Sequence, residues 1–293
     1  MSPYIVSILL GIVEGLTEFL PVSSTAHLRI AEALMRIPLD NPYWKMYTIV
    51  IQVGAILALC LLFLTRILDF LRTFPKGEDG RHTWFNHPIS LTLIAFACTS
   101  LPALLLHKWS EKNLGSLRAM ALALLIGGIV MWVVDSWSSR YEPNTTHVEE
   151  MNLVQAIWIG LCQTLSAVFP GTSRSMSTIA AGQMVGLDRP AALEFSFLLS
   201  IPTMIAATGW DLIKEIHSSK AAGAAGIAAA HVAMNGQRWG ILIIGTVVSF
   251  IVALGVVEWF LMWVRRHGFT PFAVYRILLG IALLIVGAKL VGA

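Results

Sequence analysis

Apolar positions in this chain fall in long unbroken runs separated by short polar stretches. Six runs, residues 47–64, 89–106, 117–134, 190–209, 240–264 and 272–290, lack a polar face and predict helices. Most come close to the roughly 20 residues that cross a hydrocarbon core. Pro102 predicts a bend in the second run, and Trp132 and Trp137 suit a membrane interface. Two further apolar runs are interrupted. Residues 4–36 break at Pro21, and residues 153–185 break at Pro170-Gly171. A proline ring removes a donor and clashes with the preceding turn, so each run predicts two half-helices. The polar stretches 66–87, 108–116, 138–152 and 211–236 read as loops, the first with a short amphipathic piece. Within the last, the Ala/Gly tract 221–230 reads as loop or weak surface helix.

The two broken runs resemble each other. Gly11, Glu14, Pro21 and Ser24 lie 149 positions before Gly160, Gln163, Pro170 and Ser173. Helices interrupted at matching places in two halves mark membrane proteins with internal repeats and a site between them. The predicted fold class is therefore an all-α integral membrane protein with six transmembrane helices plus two re-entrant helix pairs. It forms one membrane domain of two inverted-topology repeats, about 1–137 and 153–293, joined by a linker at 138–152. A weaker match sets residues 116–122 of the third span under residues 271–277 of the last.

Composition agrees with this reading. The chain is 56% hydrophobic and 13% charged, with a mean hydropathy of +0.74. Soluble domains carry about 25% charged residues. A net charge of +3 with no basic tract gives no electrostatic case for nucleic acid. Cys60, Cys98 and Cys162 stand alone in apolar runs, without the spacing of a disulfide framework or a thiolate metal site. The first residues lack the charged start of a cleaved signal, so the first apolar run is expected to stay.

The breaks carry the chemistry. Glu14 and Glu18 share one helical face. Ionisable groups at membrane depth are functional candidates by default. After Pro21, Ser23, Ser24 and Thr25 are good caps for a new half-helix, with His27 in its first turn. In the second copy, Thr172 and Ser173 precede Arg174. Two half-helix starts aimed at one point would form an anion site. Arg174 adds a planar fork suited to phosphate, and Ser173, Ser175 and Thr178 add hydroxyl donors. Two carboxylates beside such a cradle would repel the anion unless a divalent cation intervened. Hard oxygen ligands suit Mg²⁺ or Ca²⁺, which Glu14 and Glu18 would hold. Alternatively, one carboxylate acts as a general base. Ser24 and His27 compete as nucleophile. Ser24 is the favoured one, as nucleophile or direct phosphate ligand, with His27 as acid/base or orienting group.

At these residues the sequence resembles the undecaprenyl-pyrophosphate phosphatase family of bacteria, of the bacitracin-resistance type. The resemblance runs through residues 14–27, from Glu14 to His27, and through Pro170-Gly171-Thr172-Ser173-Arg174 to Thr178. Residues 194–202 and 271–276 add to it, and similarity covers nearly the whole chain. The resemblance implies an enzyme that releases phosphate from undecaprenyl pyrophosphate and recycles the lipid carrier of cell-wall synthesis. It implies catalytic roles for Glu14, Glu18, Ser24, His27 and Arg174; the cradle reading adds phosphate contacts from Ser23, Thr25, Ser173, Arg174, Ser175 and Thr178. The resemblance also implies a polyprenyl pyrophosphate lipid substrate, membrane lipid around the protein, and a bacterial inner-membrane location with the site facing the periplasm. A homodimer is a candidate assembly. Ala26 and Met176 stand where the family usually has glycine, which puts side chains close to the cradle.

A rival from another class is a secondary transporter or flippase for a lipid phosphate. It needs the anion cradle but no nucleophile beside paired carboxylates. Lysine and arginine counts on the two sides are nearly balanced, so charge bias does not set the orientation.

Overall fold

The computed structural model describes the chain apart from residues 39–40, 78–79, 81, 114–115, 225–233 and 292–293. It leaves side chains undescribed also at 107–113, 214–224 and 287–291. The elements in order are α1 (Pro3–Thr17), α2 (Ser24–Leu34), α3 (Pro42–Leu62), α4 (Leu64–Thr73), α5 (Pro88–Asn113) and α6 (Leu117–Ser138). A 3-10 turn (Val148–Glu150) precedes α7 (Leu153–Val168), α8 (Arg174–Met184), α9 (Arg189–Ala224), α10 (Gly236–His267) and α11 (Thr270–Val291). Among the described residues there is no strand beyond the single bridge Thr145–Leu187.

Local chemistry explains the boundaries. Pro3 and Pro42 open α1 and α3 at the position where a missing N–H is harmless. Asn41 caps α3 by accepting from the Tyr43 and Trp44 N–H groups. Asn152 and Gln155 cap α7 reciprocally.

Five helices among the described residues are long and apolar enough to cross a membrane: α3, residues 88–106 of α5, α6, residues 189–213 of α9, and α10. The run predicted at 272–290 is α11, of which the described apolar part, Thr270–Val286, is shorter. The amphipathic piece expected after residue 66 is α4, and Pro102 lies inside α5. Two loop assignments need correction. Residues 108–113 continue α5, and residues 211–224 continue α9. Both stretches hold strong helix formers, lysine with glutamate or alanine, and polarity alone does not break a helix. Of the Ala/Gly tract, residues 225–230 lie outside the described residues.

Helix pairings come in matched sets. α1 packs on α10, and α7 packs on α5. α3 meets α10, and α9 meets α5. α2 touches α11, and α8 touches α6, while α6 and α11 pack on each other. Small residues let these backbones approach. A Cβ on Gly11 would lie 2.6 Å from the Gly245 carbonyl oxygen, and one on Gly160 would strike the Ala95 carbonyl. Between α6 and α11, Gly128 faces the Ala273 carbonyl as Gly280 faces the Ala121 carbonyl. This reciprocal contact pairs residues 152 apart. The register of 155 read from residues 116–122 and 271–277 is therefore off by three.

Candidate active site

Both predicted breaks are present, and they meet. α1 ends at Thr17, and the chain turns through Pro21 before α2. Ser23 caps α2 in a left-handed conformation, φ 74°, with its hydroxyl accepting the Ala26 N–H. Ser173 caps α8 at φ 71° and accepts the Met176 N–H. Such angles are rare outside glycine and cost on the order of 1–3 kcal/mol each, a strain that clusters at functional sites.

The shared geometry corrects the sequence alignment, because Ser173 is the counterpart of Ser23 and not of Ser24. The second turn holds one more residue. At Gly171, φ is 93°, and a Cβ would lie 2.8 Å from the Met120 backbone. The counterpart of Ser24 is therefore Arg174, each being the first helical residue after its cap.

Those two counterparts converge on one carboxylate. The Ser24 hydroxyl donates to Glu18 Oε2 at 2.5 Å, and Arg174 Nη2 donates to Glu18 Oε1 at 3.2 Å. The Glu18 and Arg174 side chains are only 10% and 13% exposed, so the pair is shielded from water and weakly screened. Arg174 also lies over the Phe19 ring at 5.9 Å. Its second amino nitrogen, Nη1, is buried with no partner in the protein.

One turn before Glu18, Glu14 is 0% exposed, and neither of its carboxylate oxygens has a hydrogen-bond partner. An acceptor left unpaired inside a protein is expensive; Glu14 lies within hydrogen-bond reach of the Glu18 carboxyl, so either a proton shared by the two or a bound cation would satisfy it. Among the described residues there is no cluster of three or more His, Cys, Asp or Glu side chains that could cage a metal. Glu14 and Glu18 fit an ion that takes two carboxylates and completes its shell with substrate oxygens and water, the usual habit of Mg²⁺.

His27 is half-buried beside this group. Its Nδ1 lies 2.7 Å from the Ser23 carbonyl oxygen, which can only accept, so Nδ1 carries the proton. Nε2 then accepts from the Tyr275 hydroxyl at 2.6 Å, with the two rings stacked at 5.6 Å.

The other expected phosphate contacts divide. Ser173 and Ser175 stay at the break, 3.2 Å apart through their hydroxyls, and Ser175 ties it to the first break by donating to the Leu20 carbonyl at 3.0 Å. Thr25 is exposed in the first turn of α2. Thr178 is buried, and its hydroxyl meets Ser196 of α9 at 2.6 Å and the Arg174 carbonyl at 3.1 Å. Ala26 and Met176 avoid the polar cradle. Ala26 packs with Leu124 and Leu283, and Met176 lies against Gly127.

Sequence reasoning missed the residue that joins the two breaks. Arg276 of α11 is 0% exposed. It donates to the Pro21 carbonyl at 3.0 Å, to Gly171 at 3.3 Å, to Thr172 at 2.8 Å and to Ala123 at 3.2 Å. One guanidinium thus satisfies carbonyls from both interrupted helices, as broken backbone at membrane depth requires. The available signal was an arginine inside an apolar run, in the second turn of α11.

Residues 7–282 match the family model described as Bacitracin resistance protein BacA. A protein of Koribacter versatilis named undecaprenyl-diphosphatase is 59% identical over 284 residues, covering 97% of this chain and 98% of its own. One of the same name from Caldanaerobacter subterraneus is 40% identical over 290 residues, 99% and 98% of the two chains. Another, from Rhizobium etli, is 39% identical over 282 residues, 96% of each.

Proposed function

The chain belongs to the bacitracin resistance protein BacA family, and from that membership we infer that it is an undecaprenyl-diphosphatase. It hydrolyses undecaprenyl pyrophosphate to undecaprenyl phosphate and phosphate, and so recycles the lipid carrier for cell-wall synthesis. It works as a multi-pass membrane protein. The finer assignments are our reading: the bacterial inner membrane, a site open to the periplasm, a homodimer as candidate assembly, and two inverted repeats. The exchange of helix pairings between the halves supports the repeats.

The observation that carries the mechanism is the bridge from Ser24 through Glu18 to Arg174. The terminal phosphoryl group binds at the starts of α2 and α8, whose first N–H groups have no partners within their helices. Arg174 Nη1 gives it a further charged donor. Ser24 Oγ attacks the terminal phosphorus and passes its proton to Glu18 Oε2. The anhydride P–O bond breaks with its electron pair on the prenyl phosphate, which takes up that proton. Water then attacks the phosphoserine. One water proton stays on the released phosphate, and the other returns through Glu18 to the Ser24 oxygen. His27 fixes the turn through the Ser23 carbonyl, and its Nε2 becomes available for proton transfer when Tyr275 turns aside. A divalent ion held by Glu14 and Glu18 would neutralise charge on the phosphate oxygens.

Purified protein should release phosphate from undecaprenyl pyrophosphate, and Ser24→Ala should not. Movement of a lipid phosphate across liposomes without phosphate release would favour the transporter instead.

A further inference from the structure

An apolar crevice of about 520 Å³ opens beside the second break, between α6, α7 and α8. Pro170 and Thr172 form its head, and Val130 and Met184 its foot. We propose that this crevice takes the leading end of the substrate's prenyl chain, an assignment that rests on the diphosphatase reading above.

Three observations commit it to that occupant. The first is continuity. Thr172 lines the crevice, its carbonyl is held by Arg276, and it lies two residues before Arg174. Along α8, Met176, Ala180 and Met184 recur at helical spacing and face the crevice, on average about a third of a turn round from Arg174. A ligand whose phosphates sit at Arg174 therefore has its chain enter the crevice and run about 12 Å down α8.

The second is asymmetry between the halves. The matching positions in the first half, on α11 and α2, carry larger side chains. With the registers set by Ser23/Ser173 and Gly128/Gly280, the counterparts of Ala123, Gly127, Ser177 and Ala180 are Tyr275, Leu279, His27 and Ile30. Tyr275 and His27 stack on each other, and Ile30 and Leu279 pack against the Ala26–Leu124–Leu283 cluster. At these four positions the second half has the smaller side chains, although Met176 and Val130 are larger than their counterparts Ala26 and Ala282, so one half offers polar chemistry and the other an apolar slot.

The third is fit. The volume lies within the roughly 300–1,000 Å³ of small-ligand pockets. Such a slot suits the first isoprene units of a long lipid, with the remainder left in the bilayer. Met176 reaches toward Gly127 in the wall and sets the width of the slot.

The test is chain-length discrimination, read as the ratio of kcat/KM for farnesyl pyrophosphate to that for isopentenyl pyrophosphate. Ala123→Tyr places the first half's side chain in the slot, and Val130→Trp blocks its foot. Each should lower the ratio about tenfold, whereas Ile129→Trp, on the neighbouring exposed surface, should not change it. Cys162 lines the crevice and gives a second reading that needs no bulky substitution. In a variant lacking Cys60 and Cys98, undecaprenyl phosphate should slow its alkylation and inorganic pyrophosphate should not. An unchanged ratio in both folded variants, or alkylation indifferent to the lipid, would overturn the crevice while leaving the diphosphatase reading intact. A wild-type protein that cleaves no prenyl pyrophosphate would overturn both.

Discussion

The Ser24 hydroxyl and the Glu18 carboxylate form a 2.5 Å hydrogen bond from the start of α2 to the end of α1, across a turn of left-handed backbone. Glu18→Gln retains the size of the group and removes the proton acceptor. Positioned general bases contribute about 10²–10⁴-fold. The variant should lose on the order of a hundredfold or more in kcat while inserting normally, as steady-state phosphate release would record. A loss confined to KM would assign Glu18 to binding alone.

Glu14 should behave differently. Its buried carboxyl has the Glu18 carboxyl as its neighbour within hydrogen-bond reach. If it holds a divalent ion with Glu18, Glu14→Gln should raise the Mg²⁺ or Ca²⁺ concentration needed for half-maximal activity. Titration of the metal-stripped protein measures this. Wild-type activity that survives exhaustive chelation would exclude an essential metal and leave the carboxyls only base chemistry.

The broken helices, the acidic pair, the capping serines and Arg174 were all legible in the sequence, since each follows from proline, hydroxyl and charge placement within apolar runs. Register was not. The extra residue at Gly171-Thr172 shifts the second cap by one, so an ungapped comparison pairs Ser24 with Ser173 and hides its equivalence to Arg174. The role of Arg276 was hidden for another reason. Its partners are backbone carbonyls, which leave no mark in the side-chain pattern. The turn of Thr178 toward Ser196 likewise depends on how α8 meets α9, which helical spacing does not specify.

Arg276 is therefore predicted to be a positioning residue. Arg276→Met strands the Pro21, Gly171 and Thr172 carbonyls of the two breaks, and each unsatisfied buried acceptor costs about 1–3 kcal/mol. Thermal unfolding in detergent should shift down by several degrees, and activity should fall with KM little changed. Arg276→Lys should recover part of the stability. A Met variant as stable and active as wild type would remove Arg276 from the account.

Topology gives an independent check. A re-entrant first pair leaves both of its outer ends on one side of the membrane, and α3 then carries the chain across. In a cysteine-free background, Ser2→Cys and Arg36→Cys should label from the same face, and Trp84→Cys from the other. Each of these positions is exposed. Labelling of Ser2→Cys and Arg36→Cys from opposite faces would make the first pair a true span and disconnect the two breaks.

The most direct measurement is rapid quench of a single turnover with substrate labelled in its terminal phosphate. If Ser24 is the nucleophile, the trapped protein carries an acid-stable, base-labile phosphoserine that maps to Ser24. That label disappears in Ser24→Ala and builds up more slowly in Glu18→Gln. An acid-labile, base-stable phospho-enzyme that persists in Ser24→Ala and vanishes in His27→Ala would contradict the account and make His27 the nucleophile.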